Sequence, residues 1–303
     1  MFAFSNRKLM IKKTFSYIGI FFLNFLSVLP MRLLHVFASL SYYFIYYILQ
    51  YRKKVVHYNL SNSFPDKTPA EIIQLKKTFF KYFADMIFEV IKLQSISDKE
   101  LLRRVKFNNL ELVTNYLDKE QSILACTGHY GNWELGMMAL GVKIPAKAYV
   151  IYKPLSNDVF DDWFYKIRTK TNNLFVPMRQ TLRSLAASRN QTTMFCFAGD
   201  QTPVKDEAKV WIDFLNQPTP VLLGLEKIAL QTDRPVIYFN MQRVERGYYE
   251  VDCYQICEKP SSTEAHEITN RNFRMLEQII NKNPAYWLWS HRRWKHKPEN
   301  NAD

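Results

Sequence analysis

Two apolar runs, at 16–29 and 33–49, dominate the start of the chain, and Pro30-Met31-Arg32 separates them. Each run is slightly shorter than the roughly 20 residues of a comfortable membrane span. Lys and Arg precede the first run and follow the second, which favours both ends on the cytoplasmic side. The pattern predicts a membrane-anchoring helical segment at 1–50, as one short span, a shallow hairpin or interfacial helices. Helices that only cap a soluble core are the alternative.

The next stretch, 51–104, has a helical pattern. Pro69 stands where a first helical residue is expected, and apolar residues recur at helical spacing from Ile72 to Val90. The spacing gives one apolar face, which predicts an amphipathic helix packed against the core.

From residue 121 onward, short apolar runs alternate with helical patterns. The predicted strands are 122–126, 147–152, 193–198, 235–241 and 248–253. The predicted helices between them are 133–140, 159–170, 181–188 and 222–231. This alternation predicts an α/β fold with a mixed, largely parallel sheet flanked by helices. We assign 51–298 to this domain and 299–303 to a disordered tail.

The composition is that of a folded chain, since 48% of the residues are hydrophobic. Lys and Arg outnumber Asp and Glu by 41 to 28, which gives a net charge of +13. This excess predicts an acidic partner: nucleic acid, an anionic bilayer surface or an acidic carrier protein. The four cysteines lack the paired spacing of a metal site, so we expect reduced thiols, no metal and a cytoplasm-facing domain.

The motif with the clearest chemistry is His129-Tyr130-Gly131-Asn132-Trp133-Glu134, after the apolar run at 123–126. The pattern predicts a strand, a tight turn and a helix start. On an ideal helix, side chains five residues apart lie about 140° apart, so these two converge only if His129 lies in the turn. A carboxylate that holds one imidazole nitrogen leaves the other free to take a proton from a hydroxyl. A surface pair or a core histidine is the alternative interpretation.

Polar residues also follow the other predicted strands. Lys153 follows the second strand, Arg168 and Arg179 lie in the next segment, and Asp200 follows the strand at 193–198. Cations at strand ends can hold phosphates or carboxylates. Asp200 can order a helix start, orient a cation or contact substrate hydroxyls. The alternative for each is a solvated charge.

The segment 283–295 combines three Trp with basic residues that include Arg292 and Arg293. One interpretation is a cationic, amphipathic rim that meets lipid headgroups or an acidic partner. The other is an aromatic core patch with surface cations.

Taken in order, these residues resemble the late acyltransferases of lipid A biosynthesis (the lauroyl/myristoyl acyltransferase family) over roughly 30–298. The residues that carry the resemblance are Arg52-x-x-Val55-x-x-x-Asn59-Leu60, the His129-x4-Glu134 box, Tyr152-Lys153-Pro154 with Asn157, Asp200-Gln201, Trp211-Ile212-Asp213-Phe214-Leu215 and Trp289-x-His291-Arg292-Arg293-Trp294-Lys295. Lys153 stands where the family usually has Arg, and Trp294 where it usually has Phe. A Lys meets phosphate as a point charge instead of a planar fork, so the phosphate geometry can differ.

The resemblance implies a glycerolipid-acyltransferase-like fold and an enzyme at the cytoplasmic face of the inner membrane. Such an enzyme moves an acyl chain from acyl carrier protein to a hydroxyl of a lipid A precursor and needs no metal. The resemblance implies that His129 is the general base and Glu134 its partner. It also implies that Arg168 supports the site and that Asp200 forms an acidic turn. We expect substrate to be bound by Lys153, Arg168, Arg179, Asp200, Arg292 and Arg293. No cofactor is expected, and the co-substrate is acyl-acyl carrier protein or acyl-CoA.

Direct attack of the acceptor on the thioester is expected, because no Gly-x-Ser-x-Gly elbow exists and Cys126 lies in an apolar run. Backbone N–H groups at the helix start after Gly131 are expected to stabilise the oxyanion. A second hypothesis is an acyltransferase that acts on a lysophospholipid, a phosphoglycolipid or an amino-acid lipid. A third is a basic, membrane-associated nucleic-acid-binding protein, which leaves the His129 motif unexplained. We therefore expect an anionic lipid acceptor, a bilayer surface and no nucleic acid as partners.

Overall fold

The two apolar runs form the first two helices. The computed structural model describes residues 2–298, without the side chains of 2–9 and 11. The tail assigned to 299–303 lies outside the described residues. α1 (Phe2–Ser27) and α2 (Met31–Tyr43) are separated by a break that contains Pro30, and a π-helical turn (Phe44–Ile48) extends α2. A proline disfavours the helical conformation in the residue before it, which is consistent with the end of α1.

The predicted helical stretch at 51–104 contains α3 (Lys53–Ser63), α4 (Pro69–Lys92) and α5 (Asp98–Arg104). α4 begins at a capping box, in which the Thr68 hydroxyl accepts from the N–H of Glu71 and the Glu71 carboxylate accepts from the N–H of Thr68. Its apolar face is buried in the core, which confirms the predicted amphipathic helix.

Beyond α5 the chain forms a seven-stranded sheet with the order β1-β9-β8-β2-β5-β3-β4 and a separate β6-β7 hairpin. The strands are β1 (Val105–Phe107), β2 (Ile123–Thr127), β3 (Lys147–Tyr152), β4 (Asn173–Pro177), β5 (Thr193–Ala198), β6 (Val210–Phe214), β7 (Gln217–Val221), β8 (Val236–Glu245) and β9 (Tyr248–Cys257). The helices are α6 (Glu111–Leu117), α7 (Trp133–Lys143), α8 (Asp158–Arg168), α9 (Thr181–Ala187), α10 (Gly224–Thr232) and α11 (Glu267–Lys282). Neighbouring strands of the large sheet are parallel except for β8 and β9, which confirms the largely parallel α/β fold.

All five predicted strands and all four predicted helices of this region are present, with their ends moved by a few residues. The sequence does not predict β1, β4, β6 and β7, which are only three to five residues long. β4 and β7 contain Pro177, Pro218 and Pro220, and strand interiors rarely hold proline.

Both N-terminal helices expose an apolar face. α2 packs on α4 with Leu34 and Ala38 buried, whereas Leu40 and Tyr43 are 61% and 59% exposed. α1 contacts α4 and α8, and its Phe21 is 68% exposed. No single helix in residues 2–298 combines the length and the apolar composition of a membrane span. The helices at 31–48 and 53–63 meet that criterion only as a pair, bent by 88°.

The register of the sheet places chemistry at one edge. β2 and β5 are parallel neighbours, and Thr127 at the end of β2 pairs with Ala198 at the end of β5. His129 and Asp200 each lie two residues beyond that pair. The carboxyl ends of parallel strands form the edge where α/β proteins bind ligands, so the fold brings these two side chains together.

Candidate active site

The His129 ring is held by Asp200 at the carboxyl edge of the sheet. The distance from His129 Nδ1 to Asp200 Oδ1 is 2.5 Å. The backbone N–H of His129 donates to Asp200 Oδ2 at 2.9 Å, and the indole N–H of Trp287 donates to the same oxygen at 2.7 Å. Because a carboxylate oxygen only accepts, Nδ1 carries the hydrogen, and Nε2 is left as the basic nitrogen.

Burial and neighbouring charge shift the pKa values of His129 and Asp200 in opposite directions. Burial by itself would raise the pKa of Asp200, but the His129 ring and the Trp287 indole hold that pKa well below its ordinary value. Burial by itself would lower the pKa of His129, but the Asp200 carboxylate outweighs it and raises the pKa above 6.5. The pair therefore combines an ionised carboxylate with a more basic imidazole.

The basic nitrogen of His129 belongs to a mostly covered side chain. The side chain of His129 is 16% exposed. Its Nε2 lies 3.1 Å from the Gln201 amide nitrogen, whose N–H can donate to it. The Trp133 ring packs against the imidazole edge to face, with 4.9 Å between ring centroids. A hydroxyl that reaches Nε2 must therefore displace the Gln201 amide.

Glu134 does not hold His129, which corrects the predicted pairing. As expected, His129 lies in the turn and Glu134 in the first turn of α7. The Glu134 carboxylate, however, accepts two hydrogen bonds from Arg168, one from Nε at 2.9 Å and one from Nη2. The difference arises because Asp200 follows the neighbouring parallel strand and lies beside the ring, while Glu134 faces Arg168 on α8. The strand pairing, which no single stretch of sequence shows, was the missing signal.

The motif at 289–295, near the C-terminus, fixes the turn that carries Asp200. The N–H of Thr202 donates to His291 Nε2 at 3.0 Å, and the Thr202 hydroxyl donates to the Arg293 carbonyl at 2.6 Å. Burial lowers the pKa of His291 to about 4, so this ring stays neutral and able to accept. Together with Trp287, these contacts hold Asp200 in place from the far end of the chain.

The motif at 52–60 in turn holds the segment at 289–291 through hydrogen bonds. The Asn59 amide donates to the carbonyls of Trp289 at 2.8 Å and His291 at 2.9 Å. Arg52 donates to the carbonyl of Ser290 at 3.0 Å. Motifs more than 200 positions apart therefore meet, and their contacts lead to the His129–Asp200 pair.

The aromatic segment at 283–295 belongs to the core, and the predicted amphipathic rim is wrong for its tryptophans. Trp287, Trp289 and Trp294 are 2%, 0% and 5% exposed. Arg293 is also buried, and it donates to the Pro220 carbonyl at 2.8 Å. Burial lowers the pKa of Arg293 to about 10. Only Arg292 of the two predicted arginines is exposed.

The other predicted substrate-binding residues divide into two groups. Lys153 and Arg179 are exposed and follow β3 and β4, at the same edge of the sheet as His129. Arg168 is mostly covered and engaged with Glu134, and both oxygens of Asp200 are taken by His129 and Trp287. The first two remain available to a ligand, whereas Asp200 is a partner of the imidazole.

Two backbone N–H groups of the turn and the helix start are already engaged. The N–H of Gly131 donates to the Tyr286 carbonyl at 3.0 Å, and the N–H of Leu135 donates to the Asn132 side chain at 3.2 Å. Gly131 adopts a φ of +59°, and a Cβ there would lie 2.7 Å from the Met241 carbonyl oxygen, so the turn requires glycine.

A narrow apolar cavity of about 30 Å³ lies between α7 and the sheet, beside the imidazole. Trp133 and Thr127 line its end near His129, and Gly136 and Met137 line it farther along α7. Cys126 also lines it, and burial raises the pKa of this thiol, which keeps it a poor nucleophile. Cys126 and Cys196 are both buried, as expected.

The fold and the site define an α/β protein with a carboxylate-held imidazole at the carboxyl edge of its sheet, an arrangement typical of acid–base enzymes. The family described as bacterial lipid A biosynthesis acyltransferase matches residues 1–296. The chain belongs to this family and is an acyltransferase.

Two curated relatives agree with this assignment at low identity. One is a lipid A biosynthesis lauroyltransferase of Escherichia coli (strain K12), 21% identical over 82% of this chain and 80% of the relative. The other is a lipid A biosynthesis acyltransferase of Haemophilus influenzae, 22% identical over 90% of this chain and 85% of the relative.

Proposed function

We propose that this enzyme transfers a fatty acyl chain from acyl carrier protein to a hydroxyl of a lipid A precursor, with His129 as the general base. The observation that carries the proposal is the contact of 2.5 Å between His129 Nδ1 and Asp200, which fixes the tautomer of the ring and leaves Nε2, beside Gln201, as the basic nitrogen. We assign the orienting role to Asp200. Glu134 fixes Arg168 through hydrogen bonds, and its negative charge helps to raise the pKa of His129.

The transfer proceeds by direct attack. Nε2 of His129 takes the proton of the acceptor hydroxyl while the hydroxyl oxygen forms a bond to the thioester carbonyl carbon. The tetrahedral intermediate collapses, the carbon–sulfur bond breaks, and the leaving thiolate takes the proton from the imidazolium. Asp200 stays ionised throughout and stabilises the imidazolium.

Donor groups near Nε2 stabilise the oxyanion of the intermediate. We assign this role to two side chains. One is the Gln201 amide, 3.1 Å from Nε2, and the other is the Arg168 guanidinium, which Glu134 holds in place. The backbone N–H of Gly131 is already engaged by Tyr286, so it does not serve.

The apolar cavity beside His129 marks the path of the acyl chain. Its lining contains almost no polar group, and it begins at Trp133, next to the base. A cavity of about 30 Å³ holds only one water-sized molecule, so the chain must displace flexible side chains such as Met137 and Met241.

Exposed basic side chains and apolar helix faces support the proposed binding to an acidic carrier protein, an anionic acceptor and a membrane surface. Lys153, Arg179 and Arg292 are exposed, and the chain carries a net charge of +13, which favours an acidic carrier protein and an anionic acceptor. The exposed faces of α1 and α2 hold the enzyme on the cytoplasmic face of the inner membrane as interfacial helices. No metal or cofactor takes part.

The test uses the full chain in neutral detergent with acyl-acyl carrier protein and a lipid A precursor, and mass spectrometry of the lipid product. We expect the acceptor to gain the mass of one acyl chain. In parallel reactions, acyl-CoA replaces the donor, and a lysophospholipid replaces the acceptor. Acylation of the lysophospholipid but not of the lipid A precursor would contradict the proposed acceptor while leaving the chemistry intact.

A further inference from the structure

A second cavity, of about 550 Å³, lies away from the imidazole. Its walls come from α2, α4, the turn between β8 and β9, and Tyr286. It is large enough for a phosphorylated headgroup, and polar and apolar side chains share its lining.

The cavity carries an excess of positive charge. Lys81, Arg243 and Arg246 line it, together with the carboxylates of Asp85 and Glu245. Asp85 accepts hydrogen bonds from both arginines, at 3.0 Å from Arg243 Nη2 and 2.5 Å from Arg246 Nη2. Lys81 has no ion-pair partner among the side chains that the structure describes, and Glu245 is exposed. Arg246 Nη2 also donates to the His35 carbonyl and to Ser39 Oγ. Guanidinium and ammonium groups held close together are the donors that commonly bind phosphate in proteins.

The cavity is separate from the acyl-transfer centre. None of the residues that contact the His129 ring, namely Gln201, Trp133 and Asp200, lines it. Tyr286 touches both sites, since it lines the cavity and its carbonyl accepts from the N–H of Gly131 in the His129 turn.

One rim of the cavity continues into the exposed apolar surface. Tyr43 lines the cavity and is 59% exposed, and its ring stacks on that of Tyr47, which is 51% exposed. Leu40 precedes Tyr43 by three residues on α2, which places it on the same helix face, and it is 61% exposed. A ligand in the cavity can therefore extend an acyl chain along α2.

We propose that this cavity binds the headgroup of an anionic phospholipid of the bilayer, at a site separate from the acyl-transfer centre. Phosphate oxygens meet Lys81 and the two arginines, and the lipid chains lie along the exposed face of α2. The apolar rim favours a lipid over a soluble phosphate, because a soluble anion gains nothing from that surface. The site fixes the orientation of the protein on an anionic membrane, and its existence does not depend on the proposed acceptor.

The experiment measures binding of short-chain lipids to the full chain in neutral detergent by titration calorimetry. We expect dihexanoylphosphatidylglycerol to bind saturably, and glycerol 3-phosphate and dihexanoylphosphatidylcholine to bind about tenfold more weakly or less. Thr78→Trp places a large side chain in the cavity without a change of charge and should abolish the lipid binding. Ile73→Trp, at an exposed position of the same helix outside the cavity, is the matched control and should bind as the wild type does.

Two charge variants protect the test against misfolding of Thr78→Trp. Lys81→Gln should weaken phosphatidylglycerol binding about fivefold, and Glu245→Gln should strengthen it by a similar factor, since one charge near an anionic lipid contributes about fivefold. Unchanged affinity in all three cavity variants, or equal binding of phosphatidylcholine, would overturn the proposal. Glycerol 3-phosphate that binds as tightly as the lipid would show a soluble-anion site instead.

Acyl transfer separates this inference from the proposed function. Thr78→Trp should transfer acyl chains to the acceptor in neutral detergent at the wild-type rate. If lipid binding and transfer are lost together in a folded variant, the cavity belongs to the acceptor and the separate site is ruled out. If the wild type shows no transfer, the lipid-binding result still stands by itself.

Discussion

Two carboxylates lie near the same imidazole, and they hold different partners. Asp200 is 71 positions away in sequence and contacts His129 through both the ring and the backbone N–H. Glu134 is five positions away and binds Arg168 instead. Asp200 is 4% exposed and Glu134 is 14% exposed at its side chain. The register of parallel strands, and not distance along the chain, therefore selects the partner of the base.

The largest effect is expected from removal of the imidazole that both carboxylates surround. His129→Ala should lower kcat/KM by about 10³–10⁴-fold, because it removes the base that we assign to the acceptor hydroxyl. Thermal unfolding should show a folded protein. His57→Ala, at an exposed position on α3, is the matched control and should keep wild-type turnover. Turnover near the wild-type value in folded His129→Ala would refute the role of the base.

The next largest effect is expected from replacement of the buried Asp200 carboxylate. Asp200→Asn should lower kcat by about 10²–10⁴-fold, because an amide can no longer fix the Nδ1–H tautomer. The pH profile gives a second signature. The base works only when neutral, and Asp200 raises its pKa above 6.5, so wild-type activity falls as the pH drops through that raised value. In the variant, this acid limb should move to lower pH.

The matched control for Asp200→Asn is Asp213→Asn, at an exposed position of β6. It should change neither the rate nor the pH profile. An acid limb of Asp200→Asn that coincides with that of the wild type would show that this carboxylate does not set the basicity of His129.

Glu134 should matter less than Asp200. Glu134→Gln breaks a charged pair with Arg168 but leaves the Nδ1 contact in place. Because Arg168 then loses its fixed position near the oxyanion, we expect about a tenfold loss of kcat/KM, mostly through kcat. A double-mutant cycle with Arg168→Gln should show coupling of these two residues and none between Glu134 and Asp200. A loss equal to that of Asp200→Asn would restore Glu134 as the partner of the base.

The smallest effect is expected from the loss of the indole N–H of Trp287, which donates to Asp200. Trp287→Phe removes one of the N–H donors to Oδ2 and puts a smaller aromatic ring in the core, so turnover should fall by about threefold to tenfold. The pKa of His129 should stay raised, because the carboxylate remains. Trp211→Phe, on the half-buried β6 strand, serves as the control for loss of an indole. An unchanged rate in Trp287→Phe would show that the backbone N–H of His129 suffices to hold Asp200.

The sequence predicts most of the fold because local patterns carry it. Five apolar runs identify the longer strands, and helical spacing identifies α4 and the four helices α7 to α10. The short strands β1 and β4 escape prediction because their partners β9 and β3 are distant in sequence. β6 and β7 pair locally as a hairpin, but each has only five residues and β7 contains two prolines, so neither gives a clear strand pattern. The same limit explains the tryptophans at 287–294, whose burial depends on packing against Phe214 and other distant residues.

The amino-acid sequence by itself determined the α/β alternation, the turn that carries His129 and the order of motifs that resembles one family. Those features depend on neighbours within about ten residues, where spacing and turn chemistry act directly. Only the tertiary structure decided that Asp200 holds the ring, that Asn59 and His291 brace the Asp200 turn, and that Arg293 is buried. Each of these contacts joins segments from different strands or from opposite ends of the chain. Side chains so far apart in sequence become neighbours only when the sheet is paired and the core is packed around it.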